Sequence, residues 1–249
     1  MAGRVGIFCR LVSGLFLSGS IYGQKGFNLD KILPQLMEKG ESDSSYIIDN
    51  YSHEELEFTS HLKNGVVTET EEKKYFVEKR GGILARKLMS RDGGEATGSG
   101  SFEPKKEALT INAKLFQRYI FEFQKNEIVA GKKYWVLSFR PRNNYPEIEK
   151  KDRVLNNLSG KVWIDQHTMS FKKLEARLSK SIDFYAPGIL GGRVTKLEAT
   201  TEADLIDGCA AVSQVNVELK YSETKIPFWS KNKHLIIHIS YQNYQRRAL

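Results

Sequence analysis

From Lys133 to Arg140 the side chains alternate, with Trp135, Leu137 and Phe139 on one face and Tyr134, Val136, Ser138 and Arg140 on the other. That is the two-residue period of a strand. Glu127 to Ala130 reads as a short strand before it, and Ala130-Gly131-Lys132 offers a glycine for the tight turn between them. Pro141 and Pro146 end the second strand and hold an extended connection. Asp152 to Leu158 predicts one helical turn that Ser159-Gly160 breaks. A further hairpin follows: Lys161 to Asp165, a polar turn at Gln166-His167-Thr168, then Met169 to Leu178. Apolar residues on both faces imply a sheet that covers something on one side and encloses something on the other. The pattern describes a container more than a catalyst.

The flanking regions extend this picture. Phe27, Leu29, Ile32, Leu33, Leu36 and Met37 recur at helical spacing, with Asn28 as N-cap, Gly40 as the stop and Pro34 badly placed inside. From Tyr46 to Leu62 the period shifts to strand, and Leu56, Phe58, Ser60 and Leu62 share a face. Lys63-Asn64-Gly65 is a hairpin signal, Val66 to Glu78 returns, and Arg80-Gly81-Gly82 leads into Ile83 to Ser90, completing a meander. Arg91 to Pro104 is a loop by composition. Its Gly98-Ser99-Gly100-Ser101 has neither the following Gly-Lys-Ser/Thr nor the strand-loop-helix frame of a phosphate cradle. Ile111, Leu115, Phe116, Tyr119, Ile120 and Phe123 predict a second amphipathic helix, whose aromatic stripe packs into a core or closes over a cavity as a lid. Ser181 to Ala186, Arg193 to Leu205, Ala210 to Tyr221 and His234 to Tyr241 read as further strands. The expected fold is mainly β (α+β): one large curved antiparallel sheet or unclosed barrel with helices as a lid. No linker or internal repeat divides it, so residues 24–249 are expected to form one domain.

Residues 1–23 change the picture of where the chain works. Arg4 and Arg10 precede the short apolar run Leu11 to Leu17, and small and polar residues follow to Gly23, as in a secretory signal cleaved between Gly23 and Gln24. Cys9 lies before the apolar run and lacks the context of a lipid-modified cysteine. The mature chain then keeps Cys209 alone, which is expected to pack as a small residue in a strand. The expected location is periplasmic. The formal charge of +8 falls to +6 once Arg4 and Arg10 are removed, and the lysines are scattered among glutamates. That distribution argues against nucleic-acid binding; a modest positive surface is by default a solvated face, and suits peripheral contact with anionic headgroups or an acidic partner.

Catalytic and metal patterns are missing from the sequence. His234 and His238 flank Leu235-Ile236-Ile237 in a strand, which sets them about 13 Å apart on one polar face, too far for one ion. There is no Cys-x-x-Cys and no Gly-x-Ser-x-Gly elbow. Asp165 with Glu175, or Asp183 with Glu198, would be the candidate carboxylate pairs, and each also reads as ordinary exposed sheet residues. Asn50-Tyr51-Ser52 and Asn157-Leu158-Ser159 match the glycosylation sequon. No cofactor, metal or enzymatic activity is expected.

Several stretches taken together carry a family resemblance: Asn50-Tyr51, Val129 to Leu137 with Phe139-Arg140-Pro141, Leu155 with Leu158 to Asp165, and the closing Tyr241-Gln242-Asn243-Tyr244-Gln245-Arg246. The chain resembles the exported bacterial proteins grouped with the outer-membrane lipoprotein-sorting (LolA-like) families. The resemblance implies an unclosed antiparallel barrel with helices as a lid, holding a lipid or the acyl chain of a lipoprotein, and an inner- or outer-membrane envelope protein as partner. No ligand-contacting residue of that family is matched to a numbered position here. The candidate cavity residues are Leu56, Phe58, Trp135, Leu137, Phe139, Val162, Ile164, Leu174, Leu197, Val215 and Val217, with Leu115, Phe116, Tyr119 and Phe123 as the lid. A non-enzymatic envelope sensor or scaffold with a filled core, like the resembling periplasmic regulator of the sigma-E response, is the alternative. An envelope hydrolase ranks third, since it would need a polar cleft with strongly perturbed titrating groups.

Overall fold

The computed structural model describes residues 28–95, 101–104, 117–184, 191–226 and 229–247. Helix α1 (Leu29–Asn50) opens it. A meander follows: β1 (Tyr51–Lys63), β2 (Val66–Arg80), β3 (Ile83–Arg91), and the short β4 (Gly94–Glu95) and β5 (Glu103–Pro104). Next come β6 (Tyr119–Val129), β7 (Lys132–Pro141), helix α2 (Lys150–Leu155), β8 (Leu158–Asp165), β9 (Phe171–Leu178) and β10 (Ile182–Phe184). The long strands β11 (Gly192–Ile206), β12 (Cys209–Ile226) and β13 (Trp229–Arg246) complete it.

All strand pairs are antiparallel within one sheet, ordered β4-β3-β2-β1-β13-β12-β11-β9-β8-β7-β6, with β10 beside β11 and β5 beside β3. The last strand thus inserts next to the first, joining the N-terminal meander to the rest. Among the described residues the two end strands do not pair with each other, and the sheet is an open half-barrel. Tight turns set the hairpin registers. Asn64-Gly65 has both φ values positive, as does Asp207-Gly208, the geometry that two-residue hairpins with native twist require.

Two sequence expectations about helices are corrected. Gly40 does not stop α1, which runs through both Pro34 and Gly40 to Asn50, so residues 46–50 are helix and β1 begins at Tyr51. An interior proline costs about 3 kcal/mol and an interior glycine about 1 kcal/mol. Tertiary contacts offset both. Leu29, Leu33 and Leu36 are buried on one side of Gly40, and Asp43 and Ile47 on the other. Asn28 caps the start by accepting from the Lys31 N–H, as its position predicts. The second amphipathic helix is also corrected. Tyr119, Ile120 and Phe123 lie in strand β6, and the apolar spacing that resembled a helix reads as alternation once Tyr119, Phe121 and Phe123 are taken as one face. Ile111, Leu115 and Phe116 lie outside the described residues. The expected loop after Arg91 contains the short pairings of β4 and β5 with β3.

The core lies on one face of the sheet, here called inner. Leu29, Leu33 and Leu36 of α1 belong to one apolar cluster with Tyr119 and Phe121 of β6, Leu137 and Phe139 of β7, and the inward residues of β8, β9 and β11 to β13. A second, smaller cluster joins Ile47 of α1 to Tyr51 and Ala211, with Tyr46, Ile206, Cys209 and Tyr244 packed on it. Cys209 is half-buried there, and desolvation, with Asp43 nearby, pushes its thiol pKa up.

Gly160 shows how tightly the inner face is fitted. It pairs with Phe139 on one side and Ala176 on the other. A Cβ there would overlap the Glu175 carbonyl oxygen and lie 2.7 Å from Cζ of Phe139. Gly160→Ala is therefore expected to lower the unfolding free energy by about 1–3 kcal/mol or more. Denaturant unfolding measures this, and an unchanged midpoint would contradict the packing described.

Candidate functional site

The inner face between β6 and β13 is the candidate binding surface. It gathers most of the residues that the sequence marks for a cavity. Leu137, Phe139, Val162, Ile164, Leu174, Leu197, Val215 and Val217 all enter one apolar cluster, and Trp135 packs against it. Cross-strand register brings them into rows: Leu137 opposite Val162, and Val162 opposite Leu174. The face is filled, with Leu137, Val162 and Val215 fully shielded from solvent.

Leu56 and Phe58 are corrected. β1 pairs with β13 so that Glu55 opposes Tyr241, Glu57 opposes Ile239 and Thr59 opposes Ile237. Ile237 and Ile239 belong to the apolar cluster, so Glu55, Glu57 and Thr59 share the inner face. Leu56 and Phe58 point the other way, opposite Ser240 and His238. Phe58 is 38% exposed and its ring lies 6.3 Å from that of His238. A one-residue change in register exchanges the faces of a strand, and here the apolar positions of β1 are the outer ones.

Tyr119 and Phe123 are part of the sheet. Tyr119 is buried, donates its hydroxyl to the Leu155 carbonyl at 2.7 Å and stacks edge-on against Phe139. Burial drives its pKa far above the usual phenol value. Next to it Arg118 clamps α2 to the sheet: its guanidinium lies 2.6 Å from Asp152, donates to Asn156 at 2.5 Å and sits over the Tyr145 ring. Burial opposes ionisation of Asp152. The backbone N–H groups of Glu149 and Ile148 and the Arg118 charge outweigh it, and hold the carboxyl below its usual pKa.

α1, the cover of the apolar face, is fastened unevenly. Its C-terminal half is tied by polar bonds. Asp43 pairs with Lys39, accepts from the Ala210 N–H at 3.0 Å and lies 3.4 Å from the Ser170 hydroxyl. Lys39 donates to the Gly208 carbonyl and Tyr46 to Asp207, on which the Tyr51 hydroxyl also converges. The Asp207 hydrogen bond pushes the Tyr51 pKa up to about 12. The N-terminal half, from Leu29 to Met37, meets the sheet through apolar side chains. Among the described residues it makes no side-chain hydrogen bond to the sheet.

The strip of inner face on β1 to β3 is charged around Glu55 and Glu57, with Tyr75 and buried Val77 beside the charges, and the sequence signal for it was the Glu55-x-Glu57 spacing opposite the apolar alternation. Arg86 lies 3.6 Å from buried Glu55 and 4.3 Å over the Tyr75 ring, whose pKa burial raises to about 12. Lys73 lies 2.6 Å from Glu71. Burial first, then the neighbouring Glu55 charge, raise the pKa of Glu57 against the opposing fields of Lys73 and Arg86.

The remaining candidate groups are engaged elsewhere. His234 lies 3.0 Å from Glu218 and His238 lies 2.6 Å from Asn216 on the outer face. Asp165 accepts from the turn N–H groups of His167 and Thr168. Glu175, Asp183 and Glu198 pair with Lys173, Arg193 and Lys196 respectively. Among the described residues, no three His, Cys, Asp or Glu side chains gather closely enough to hold a metal ion. No described helix is long and apolar enough to cross a membrane.

No family model and no curated protein matches the sequence. Among solved structures, the chain is similar to a LolA superfamily protein from Nitrosomonas europaea, at 14% identity and TM-score 0.40, covering 87% of this chain and 94% of that one. It is also similar to a putative outer membrane lipoprotein-sorting protein domain from Vibrio parahaemolyticus, at 12% identity and TM-score 0.36, covering 85% and 93%. A DUF1329 family protein from Desulfovibrio piger matches at 12% identity and TM-score 0.34, covering 86% and 92%.

The raised pKa of Glu57 predicts a pH-dependent stability change. A carboxyl that holds its proton more tightly when folded destabilises the fold as pH rises from the unfolded value near 4.5, and the full deficit is present above the folded pKa. Glu57→Gln is therefore expected to unfold at higher temperature than the parent at pH 7, with the difference vanishing well below pH 4.5. Melting curves at the two pH values check this. A less stable glutamine variant at pH 7 would contradict the assigned environment.

Proposed function

We propose that this chain is exported to the periplasm and carries a lipid or the acyl chain of a lipoprotein on its inner face, with α1 as a displaceable cover. The supporting observation is the uneven fastening of α1: polar anchors from Lys39 onward, and from Leu29 to Met37 apolar contacts with no side-chain hydrogen bond to the sheet among the described residues. Pro34 weakens the helix in the same half, because it removes one backbone donor. Such a helix can swing from its C-terminal anchors and leave the apolar rows of β7, β8 and β12 for a hydrocarbon chain.

The energies permit exchange. Burying a leucine side chain is worth about 1.5–3 kcal/mol and a methylene about 0.8 kcal/mol. Removing Leu29, Leu33 and Leu36 therefore forfeits roughly what an acyl chain of about ten methylenes returns. A carrier needs that near balance, since it must both load and release. No covalent chemistry is needed, and the reading is non-enzymatic.

Leu33→Ala separates cover from core. It is expected to reduce stability by about 2–5 kcal/mol and yet raise apparent affinity for a fluorescent acyl probe by about tenfold or more, because the open form becomes more populated. Native mass spectrometry of protein purified from its own envelope, followed by lipid extraction, identifies the cargo. A clean apo mass, with no probe binding by either form, would sink the carrier reading. The filled core, together with exposed Phe58 and Ile236 on the outer face, would then favour an envelope scaffold that binds a protein.

A further inference from the structure

The inner face changes character at one seam, between β13 and β1. On the β13 side Leu235, Ile237 and Ile239 are buried and apolar. The β1 residues paired with them are His61, Thr59 and Glu57, and the next row, on β2, is Glu69, Glu71 and Lys73. A ligand lying on the apolar rows of β12 and β13 therefore has a polar strip within one strand spacing of it.

Most charges flanking Glu57 are matched. Lys73 and Arg91 both pair with Glu71, and Arg86 faces Glu55. Glu57 differs. It is partly buried, directly across from Ile239, and its carboxylate forms no hydrogen bond or ion pair with any described residue. A carboxylate drawn out of water without a hydrogen-bonding partner is costly, and a second carboxylate at Glu55, two residues along the same face, adds repulsion; together these outweigh the fields of Lys73 and Arg86. A ligand cation relieves both penalties. An anionic head would meet both glutamates while the nearby cations are already paired, and a neutral head would leave Glu57 as it is.

We propose that Glu57 receives the protonated amine of an amphiphile whose hydrocarbon chain lies on the apolar face of β12 and β13. The assignment rests on the carrier reading and gives its ligand a chemical class: a chain-bearing primary amine, as in an aminoalkyl lipid headgroup.

The test is displacement of a fluorescent acyl probe from the full-length mature chain at pH 7 by dodecylamine, dodecanol and dodecanoate, each below its aggregation limit. Dodecylamine is expected to bind about tenfold or more tightly than dodecanol, the scale of one charge-assisted bond, and dodecanoate weakest. Glu57→Gln should abolish the amine preference without moving dodecanol, and Glu57→Asp should retain part of it. Glu72→Gln removes the same charge from the outer face, where Glu72 pairs with Phe58, and should leave the preference intact. Equal binding of the three amphiphiles, or loss of preference in Glu72→Gln as well, overturns the assignment and leaves the carrier standing. Binding of none overturns the carrier and this inference with it.

Discussion

Leu29, Leu33 and Leu36 of α1 complete an apolar core whose other members are mostly inward side chains of the sheet, and without them part of that face would lie open to water. A closed barrel buries its interior by closure, whereas this sheet ends in two strands that do not meet. The remaining cover must come from a separate element. That requirement explains why α1 tolerates Pro34 and Gly40: its stability comes from the surface it covers, and intrinsic propensity matters less. The same requirement concentrates the polar anchors at one end. A helix pinned along its whole length would seal the face, and one without anchors would dissociate from it.

The edges of the half-barrel are secured by different means. At β6, Arg118 and Asp152 form a buried ion pair that fixes α2 over the end of the core. Desolvation makes such a pair a poor net source of stability, and its value lies in geometry, because either charge alone would be stranded. Tyr119 contributes to the same end: its ring is in the core, and its hydroxyl closes on the last turn of α2. At the opposite end, the meander of β1 to β3 joins the rest through the long ladder between β1 and β13, so the polar strip and the apolar rows form one continuous surface.

Much of this was legible in the sequence. The alternation in 133–140 gives β7 and its inward row, the turn residues give the hairpins, and the residues gathered on the inner face are largely those the pattern selects. Three things were not legible. A stop at Gly40 is a local signal, and the distant partners of Asp43, Ala210 and Ser170, override it. The spacing of Leu115, Phe116, Tyr119 and Phe123 fits two periods, and only pairing with β7 decides for a strand. The side of β1 is the third: Leu56 and Phe58 are its most apolar pair, and pattern alone assigns them inward.

That third failure is informative about function. Shifting β1 by one residue would bring Leu56 and Phe58 against Ile237 and Ile239 and extend the apolar rows by one strand, a gain of hydrophobic burial. The observed register forgoes that gain. It runs regularly from Glu54 to Leu62 against β13, with a bulge at Ser52/Glu54, where Asn243 takes a positive φ. It is further tied by Glu54, which lies 2.8 Å from Lys74 and accepts from Asn243 at 2.5 Å. These pairings hold Glu55 and Glu57 inward despite the cost of desolvating them. A face selected only for packing would not keep two carboxylates there, whereas a face selected for a ligand with a polar end would. The arrangement is the one the proposed amphiphile would require, with Glu57 at the junction of the apolar and polar surfaces.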